Sequence, residues 1–143
     1  MESRFLLEEA IPEAMPALFA LEKFLSQTKI SPVIVEILKI RVSQINGCAY
    51  CIKSHTSFAL KLGEDPIKLM SIAAWRESSL FTDNERAVLQ FADEITKIYE
   101  SGLSDGTYTL IKTFFSGEEI AQLTLFVTSI NTWNRIAIST RLN

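Results

Sequence analysis

Two cysteines and the sole histidine of the chain stand within eight residues of one another, at Cys48, Cys51 and His55. An α-helix turns about 100° per residue, so with Cys51 at zero His55 falls near ~40°, Cys48 near ~60°, Phe58 near ~340° and Leu62 near ~20°. These five share one narrow face, while Tyr50, Lys53, Ser54, Ser57 and Lys61 point away. The pattern predicts two thiols and an imidazole in a dry, partly buried site. Cys48 would open the helix and Cys51 would lie in its first turn, where free N–H groups and the macrodipole stabilise an anion. On that ground the thiol pKa is expected to fall from about 8.5 toward neutrality.

Desolvation alone would raise the pKa of such a thiol, so the site needs a proton acceptor, and His55 stands one turn beyond Cys51. A histidine held by a carboxylate is a better base in a defined tautomer. The preceding helix must supply that acid. Its residues Glu36, Lys39, Ser43 and Asn46 occupy one arc, with Glu36 at the boundary beside Val33 and Ile40, so spacing leaves Glu36 free to face inward or outward. Outward, it is a solvated carboxylate paired with Lys39 at i+3. A lone histidine on an apolar face is more often a hydrogen-bonded core residue, and a buried free cysteine is often an inert small hydrophobe. Two thiols at C-x-x-C beside that histidine reverse those odds.

The elements that position these groups are all helical. Period-2 alternation is nearly absent, and helix punctuation recurs. Ser31-Pro32 is a start and Gly47 a stop, giving a helix over about 32–46. A second runs from about Cys48 to Leu62 and is closed by Gly63, and Asp65-Pro66 starts a third. Thr82-Asp83-Asn84-Glu85 and Ser116-Gly117-Glu118-Glu119 read as capping boxes. The first heads a helix to about Tyr99 and the second a long apolar helix to about Ile138. Gly102 and Gly106 mark a loop between them. The expected fold is an all-α, compact bundle of about six or seven helices in one domain over residues 1–143, with the motif core at 31–80.

At 143 residues the chain can bury a core without disulfides or metals, and its 48% hydrophobic and 22% charged residues argue against disorder. A formal charge of −3 offers no basic footprint for nucleic acid. Glu2, Glu8, Glu9 and Glu13 stand where an export signal would be basic, and no apolar run approaches the roughly 18 residues that span a bilayer. A cytoplasmic protein with no membrane or nucleic-acid partner is expected, and in that reducing compartment C-x-x-C points to metal binding or reversible thiol chemistry.

The string from Arg41 to His55, R-V-S-Q-I-N-G-C-A-Y-C-x-x-x-H, resembles the core motif of alkylhydroperoxidase D-like proteins of the carboxymuconolactone decarboxylase superfamily. Glu36, Cys48, Cys51 and His55 meet the full pattern E-x11-C-x2-C-x3-H, and Asn131-Thr132-Trp133-Asn134-Arg135 is similar to the family's N-x-W-N-R segment. The resemblance spans residues 31 to 136. It implies an all-helical fold assembled as a homo-oligomer, a trimer or hexamer, and reduction of hydroperoxides. By position, Cys51 is then the peroxidatic thiol and Cys48 the resolving one, while His55 relays a proton, through water, to Glu36. An external dithiol, lipoyl- or thioredoxin-like, would reset the pair, with no metal or flavin cofactor. The chain departs from the pattern at Tyr50, where better-studied relatives hold a histidine, so weak or redirected activity is expected. The superfamily's decarboxylase branch is not defined by this cysteine pair.

Two other functions compete with the thiol peroxidase. Two thiolates, an imidazole and a carboxylate could complete a tetrahedral zinc shell. Alternatively, the fold could serve as an interaction module with an idle thiol pair. Asn131, Trp133, Asn134 and Arg135 could line the pocket or seal a subunit interface, and side-chain type favours packing and assembly. Trp75 and Arg76 are read the same way.

Overall fold

Helix α3 (Pro32–Asn46) begins where proline at the first helical position costs no hydrogen bond, and it ends at Gly47 in the left-handed region, φ 71°. There the Cys48 N–H reaches back to Ser43 O at 2.9 Å and the Gly47 N–H to Gln44 O at 3.2 Å, which closes the helix in a six-to-one turn. Only Gly47 and Cys48 separate α3 from α4 (Ala49–Lys61). This elbow folds the two helices against each other. A side chain at position 47 would meet no neighbour, so the demand for glycine there is one of backbone conformation.

The computed structural model describes residues 2–142. Ahead of α3 lie the short α1 (Leu7–Ala10) and α2 (Met15–Leu25). After α4 come α5 (Pro66–Ser71), α6 (Asp83–Thr96), the short α7 (Ile98–Ser101), α8 (Asp105–Ile111) and α9 (Gly117–Thr140). No strand is present among the described residues. The expectation of six or seven helices counts the longer ones; α1 and α7, four residues each, bring the total among the described residues to nine α-helices. Both expected capping boxes form, at Thr82/Glu85 and at Ser116/Glu119.

Helix α3 lies at the centre and packs on α4, α6 and α9. Val35, Leu38 and Val42 join Phe91 of α6 and Leu123, Val127 and Ile130 of α9 in one apolar cluster, which also contains both cysteines. Ile37 and Ile40 point the other way, into a second cluster with Leu69, Ile72, Trp75 and Phe81. Burial on both sides leaves α3 little solvated surface, and this bears on where Glu36 can point.

Two expectations are corrected. The helix after Thr82 does not reach Tyr99: it ends at Thr96, and Lys97, with φ −103° and ψ 38°, breaks the ladder before α7 begins. Gly102 is a loop residue with φ 69°, but Gly106 lies inside α8, whose first turn is capped by Ser104 accepting from Thr107 N–H. The expectation that Trp75 and Arg76 serve packing holds. Trp75 is buried, and its Nε1–H donates to Asp93 at 3.3 Å. Asp93 also binds Arg76 at 2.8 Å and takes Arg41 in a two-point pair at 2.5 and 3.0 Å, which locks α3 to α6.

Candidate functional site

Cys48 is the N-cap of α4 and Cys51 lies in its first turn; both are free thiols and both are buried. Their sulfurs are 2.9 Å apart. Closing to a disulfide length of about 2.05 Å requires a movement of under roughly 1 Å. One turn further on, His55 Nδ1 lies 2.7 Å from Glu36 Oε2 of α3, with both side chains largely shielded from solvent. Glu36 therefore faces inward. The alternative partner is present as well: Lys39 Nζ stands 3.9 Å from Glu36 Oε1, so one carboxylate serves both residues. Because a carboxylate accepts, the imidazole carries its proton on Nδ1 and leaves Nε2 free.

A cavity of about 420 Å³ opens against this corner. Cys51, His55, Tyr50 and Lys39 line one side, and Phe19, Ile130 and Trp133 form much of the apolar remainder. Cys48 lies behind Cys51, away from the cavity. A second, smaller cavity of about 230 Å³ is lined by Glu36 with Glu22, Thr28 and Lys39, so the carboxylate has its own side of the fold.

The expectation of an acidified thiol is corrected for Cys51. Burial, the hydrogen bond with Cys48 and the nearby Cys48 charge push it up from the ordinary 9.0 to about 12; a hydrogen bond from Asn134 works in the opposite direction. Desolvation is the largest of these causes, and Cys51 rests as a thiol. The fold therefore favours the protonated form, and its contribution to stability is complete below pH 9.0 and is lost as pH rises toward 12. Urea midpoints of the wild type should fall more steeply than those of Cys51→Ser between about pH 9 and about pH 11. Parallel slopes would contradict this assignment.

The face of α4 is less uniformly dry than its periodicity predicts. Cys51 is 4% exposed, but Phe58 and Leu62 further along are 51% and 49% exposed. The first turn of α4 enters the core beside α3 and α9, and the later turns leave it. The zinc shell is not assembled either: among the described residues, no three of His, Cys, Asp and Glu are placed to hold a metal ion.

Sequence reasoning missed Glu22 of α2. Its Oε1 accepts from Trp133 Nε1 at 2.9 Å and from the Ser129 hydroxyl, and it borders both cavities. The proline in the first turn of α2 marks that helix, but nothing in the pattern singles Glu22 out. Trp133 and Asn134, which side-chain type assigned to packing and assembly, face the site. Trp133 lines the cavity and meets the Phe19 ring in a tilted pair with centroids 5.9 Å apart, and Asn134 is wholly buried between Asn46 and Ser43.

Residues 12–94, which hold the cysteines, the histidine and Glu36, match the carboxymuconolactone decarboxylase family. The chain belongs to that family. It is 37% identical over 139 residues to the uncharacterized protein YdfG of Bacillus subtilis (strain 168), an alignment covering 97% of this chain and 95% of YdfG. This family member also superposes with TM-score 0.96 at 36% identity on a protein of unknown function from Agrobacterium tumefaciens that has been suggested to be the antioxidant defence protein AhpD, covering 99% of this chain and 97% of that one. The alkylhydroperoxidase AhpD core of a peroxidase-related protein from Ralstonia eutropha JMP134 shares the fold, with TM-score 0.84 at 18% identity over 96% and 74% of the two chains. The fold of this carboxymuconolactone decarboxylase family protein is thus AhpD-like. No helix among the described residues is long and apolar enough to cross a membrane.

Proposed function

We propose that the protein is a thiol-dependent hydroperoxidase in which Cys51 is the peroxidatic thiol, Cys48 the resolving thiol, His55 the proton carrier and Glu36 the carboxylate that holds and stabilises the protonated ring. One observation carries the reading. Of two sulfurs 2.9 Å apart, Cys51 opens onto a cavity that it shares with His55, and Nδ1 of His55 is held by the largely shielded Glu36 carboxylate. The description of the A. tumefaciens structure as a suggested antioxidant defence protein agrees with it.

The high proton affinity of Cys51 makes the relay necessary. Its proton passes to His55 Nε2 through a water or the substrate in the cavity, and Glu36 stabilises the imidazolium that forms. The thiolate attacks the distal peroxide oxygen; the O–O bond breaks, an S–O bond forms and the departing alkoxide takes a proton, leaving an alcohol and Cys51 sulfenic acid. Cys48 then displaces the sulfenic oxygen as water and forms the disulfide. An external dithiol, lipoyl- or thioredoxin-like, is oxidised in returning the pair to thiols. Tyr50, at the position of the family histidine, borders the cavity and is a far weaker base at neutral pH, so a single imidazole serves the cycle and slower turnover follows. A homo-oligomer, trimer or hexamer, is part of this proposal, with the half-exposed Phe58 and Leu62 available to be covered.

The test is a thiol count. One equivalent of organic hydroperoxide should remove two free thiols per chain and yield the Cys48–Cys51 disulfide, whereas Cys51→Ser should keep its remaining thiol. A chain that retains both thiols under peroxide, or a Cys51→Ser chain that still consumes it, would overturn the reading.

A further inference from the structure

Glu22 takes no part in the thiol and imidazole chemistry, yet it stands on the same cavity as Cys51 and His55. Met15, Phe19 and Glu22 are spaced four and three apart, so one face of α2 turns toward that cavity, and all three line it. Little else holds this face in place. Of the residues of α2 only Leu25 is buried, and Phe19 is 55% exposed. Among the described residues, the side-chain hydrogen bonds that join α2 to another helix all end on Glu22 Oε1, which accepts from the Ser129 hydroxyl and from Trp133 Nε1–H at 2.9 Å. The two donors are not equivalent. Ser129 and Trp133 stand one turn apart on α9, where Thr124 and Thr132 donate their hydroxyls to carbonyls four residues earlier, and Ser129 has the same outlet at Leu125. The indole N–H lies at the far edge of a large ring, away from the carbonyls of its own helix. Without Glu22 it is left unpaired until the ring swings out of the wall and reaches water.

We propose that Glu22 is the positioning residue that fixes the Trp133 indole as a wall of the cavity, and that this pair sets the size of the molecule admitted to Cys51. This rests on the reading of that cavity as the place where substrate meets the thiol, and it adds a residue that selects by size without touching the reacting atoms. Helix α2 holds Trp133 at two points. Phe19 meets the ring in a tilted pair with centroids 5.9 Å apart, and Glu22, one turn further along, fixes its N–H edge. A ring fixed in both position and rotation presents one outline to an incoming molecule. Cys51 is 4% exposed and borders this cavity, so that outline decides what comes within reach of its sulfur.

The test uses the full chain carrying Cys48→Ser, so that Cys51 is the single thiol, and compares its alkylation by iodoacetamide with that by N-naphthyl iodoacetamide at about pH 8.5. Both reagents react by the same chemistry, so the ratio of their rates reports access and cancels the state of the thiol. Glu22→Gln keeps an oxygen acceptor at the same reach, Glu22→Leu removes it, and Trp133→Phe removes the donor. The naphthyl-to-small ratio should rise about tenfold in Glu22→Leu and stay within about twofold of the parent in Glu22→Gln. In a Trp133→Phe chain the ratio should already be raised, and adding Glu22→Leu should raise it by less than about twofold more. A helix staple without selectivity would, when lost, speed both reagents alike and leave the ratio unchanged. An unchanged or lowered ratio in Glu22→Leu would overturn the proposal. So would a further rise of about tenfold when Glu22→Leu is added to Trp133→Phe, since Glu22 would then act apart from the indole. If Glu22→Leu does not fold, Glu22→Asp, whose carboxyl ends one methylene short of the indole, decides in the same way. Because no peroxide enters the assay, a raised ratio beside absent peroxide turnover would sink only the catalytic reading, and an unchanged ratio beside intact turnover only this one.

Discussion

Cys51→Ser should lower hydroperoxide turnover by at least about a thousandfold, because a hydroxyl in that position is neither ionised nor nucleophilic enough to open the O–O bond. Cys48→Ser should behave differently. Its Cys51 can still attack, so the first equivalent of hydroperoxide is consumed near the wild-type rate. The sulfenic acid then finds no second sulfur, and the reaction stops after one event per chain. The burst, and capture of the stalled sulfenic acid by a selective nucleophile, can be read by mass spectrometry of the intact chain. The asymmetry follows from position, since only Cys51 borders the cavity while Cys48 lies 2.9 Å behind it. If Cys51→Ser turned over as fast as the wild type, or if Cys48→Ser cycled without stalling, the assigned roles would be wrong.

The second large effect is expected at the relay. His55→Gln should lower kcat/KM at neutral pH by a factor of about 10² to 10⁴, the usual worth of a positioned general base. The loss is large here because burial holds the Cys51 proton up to about 12, and little thiolate forms unaided. For the same reason the variant should recover part of its rate as pH rises and hydroxide takes the proton directly. Glu36→Gln keeps a hydrogen-bond acceptor for Nδ1 and so preserves the tautomer. It removes the charge that steadies the imidazolium, and a loss of about 10- to 100-fold is expected, smaller than that of His55→Gln. Initial rates against pH for the three proteins decide the matter. A His55→Gln protein as fast as the parent at pH 7 would remove histidine from the cycle.

Much of this arrangement could be read before any coordinates, because it is local. Ser31-Pro32, Gly47, Gly63 and the two capping boxes act through backbone chemistry within a few residues, and each bounds a helix where expected. The shared face of Cys48, Cys51 and His55 is likewise a property of one helix. What could not be read depends on packing between distant segments. Periodicity left Glu36 free to turn either way, and the choice was made by α4, α6 and α9 closing around α3. Asn134 looked like a packing residue because nothing local shows that its neighbours are Asn46 and Ser43, 88 and 91 positions earlier. Helix α2 has no side-chain cap, and so Glu22 escaped notice. The thiol prediction failed in sign because helix-terminal electrostatics can be estimated from sequence, whereas desolvation depends on the whole fold.

The reactive trio and its carboxylate come from one α3–α4 hairpin, but the walls of the adjoining cavity come largely from elsewhere: Glu8, Met15 and Phe19 near one terminus, and Ser129, Trp133 and Leu142 near the other. Reactivity and molecular selectivity are thus encoded in separate stretches of the polypeptide. A lineage could exchange Phe19 or Leu142 and alter which molecules gain admission while the sulfur chemistry stays untouched, so descendants could diverge in diet without relearning how to react.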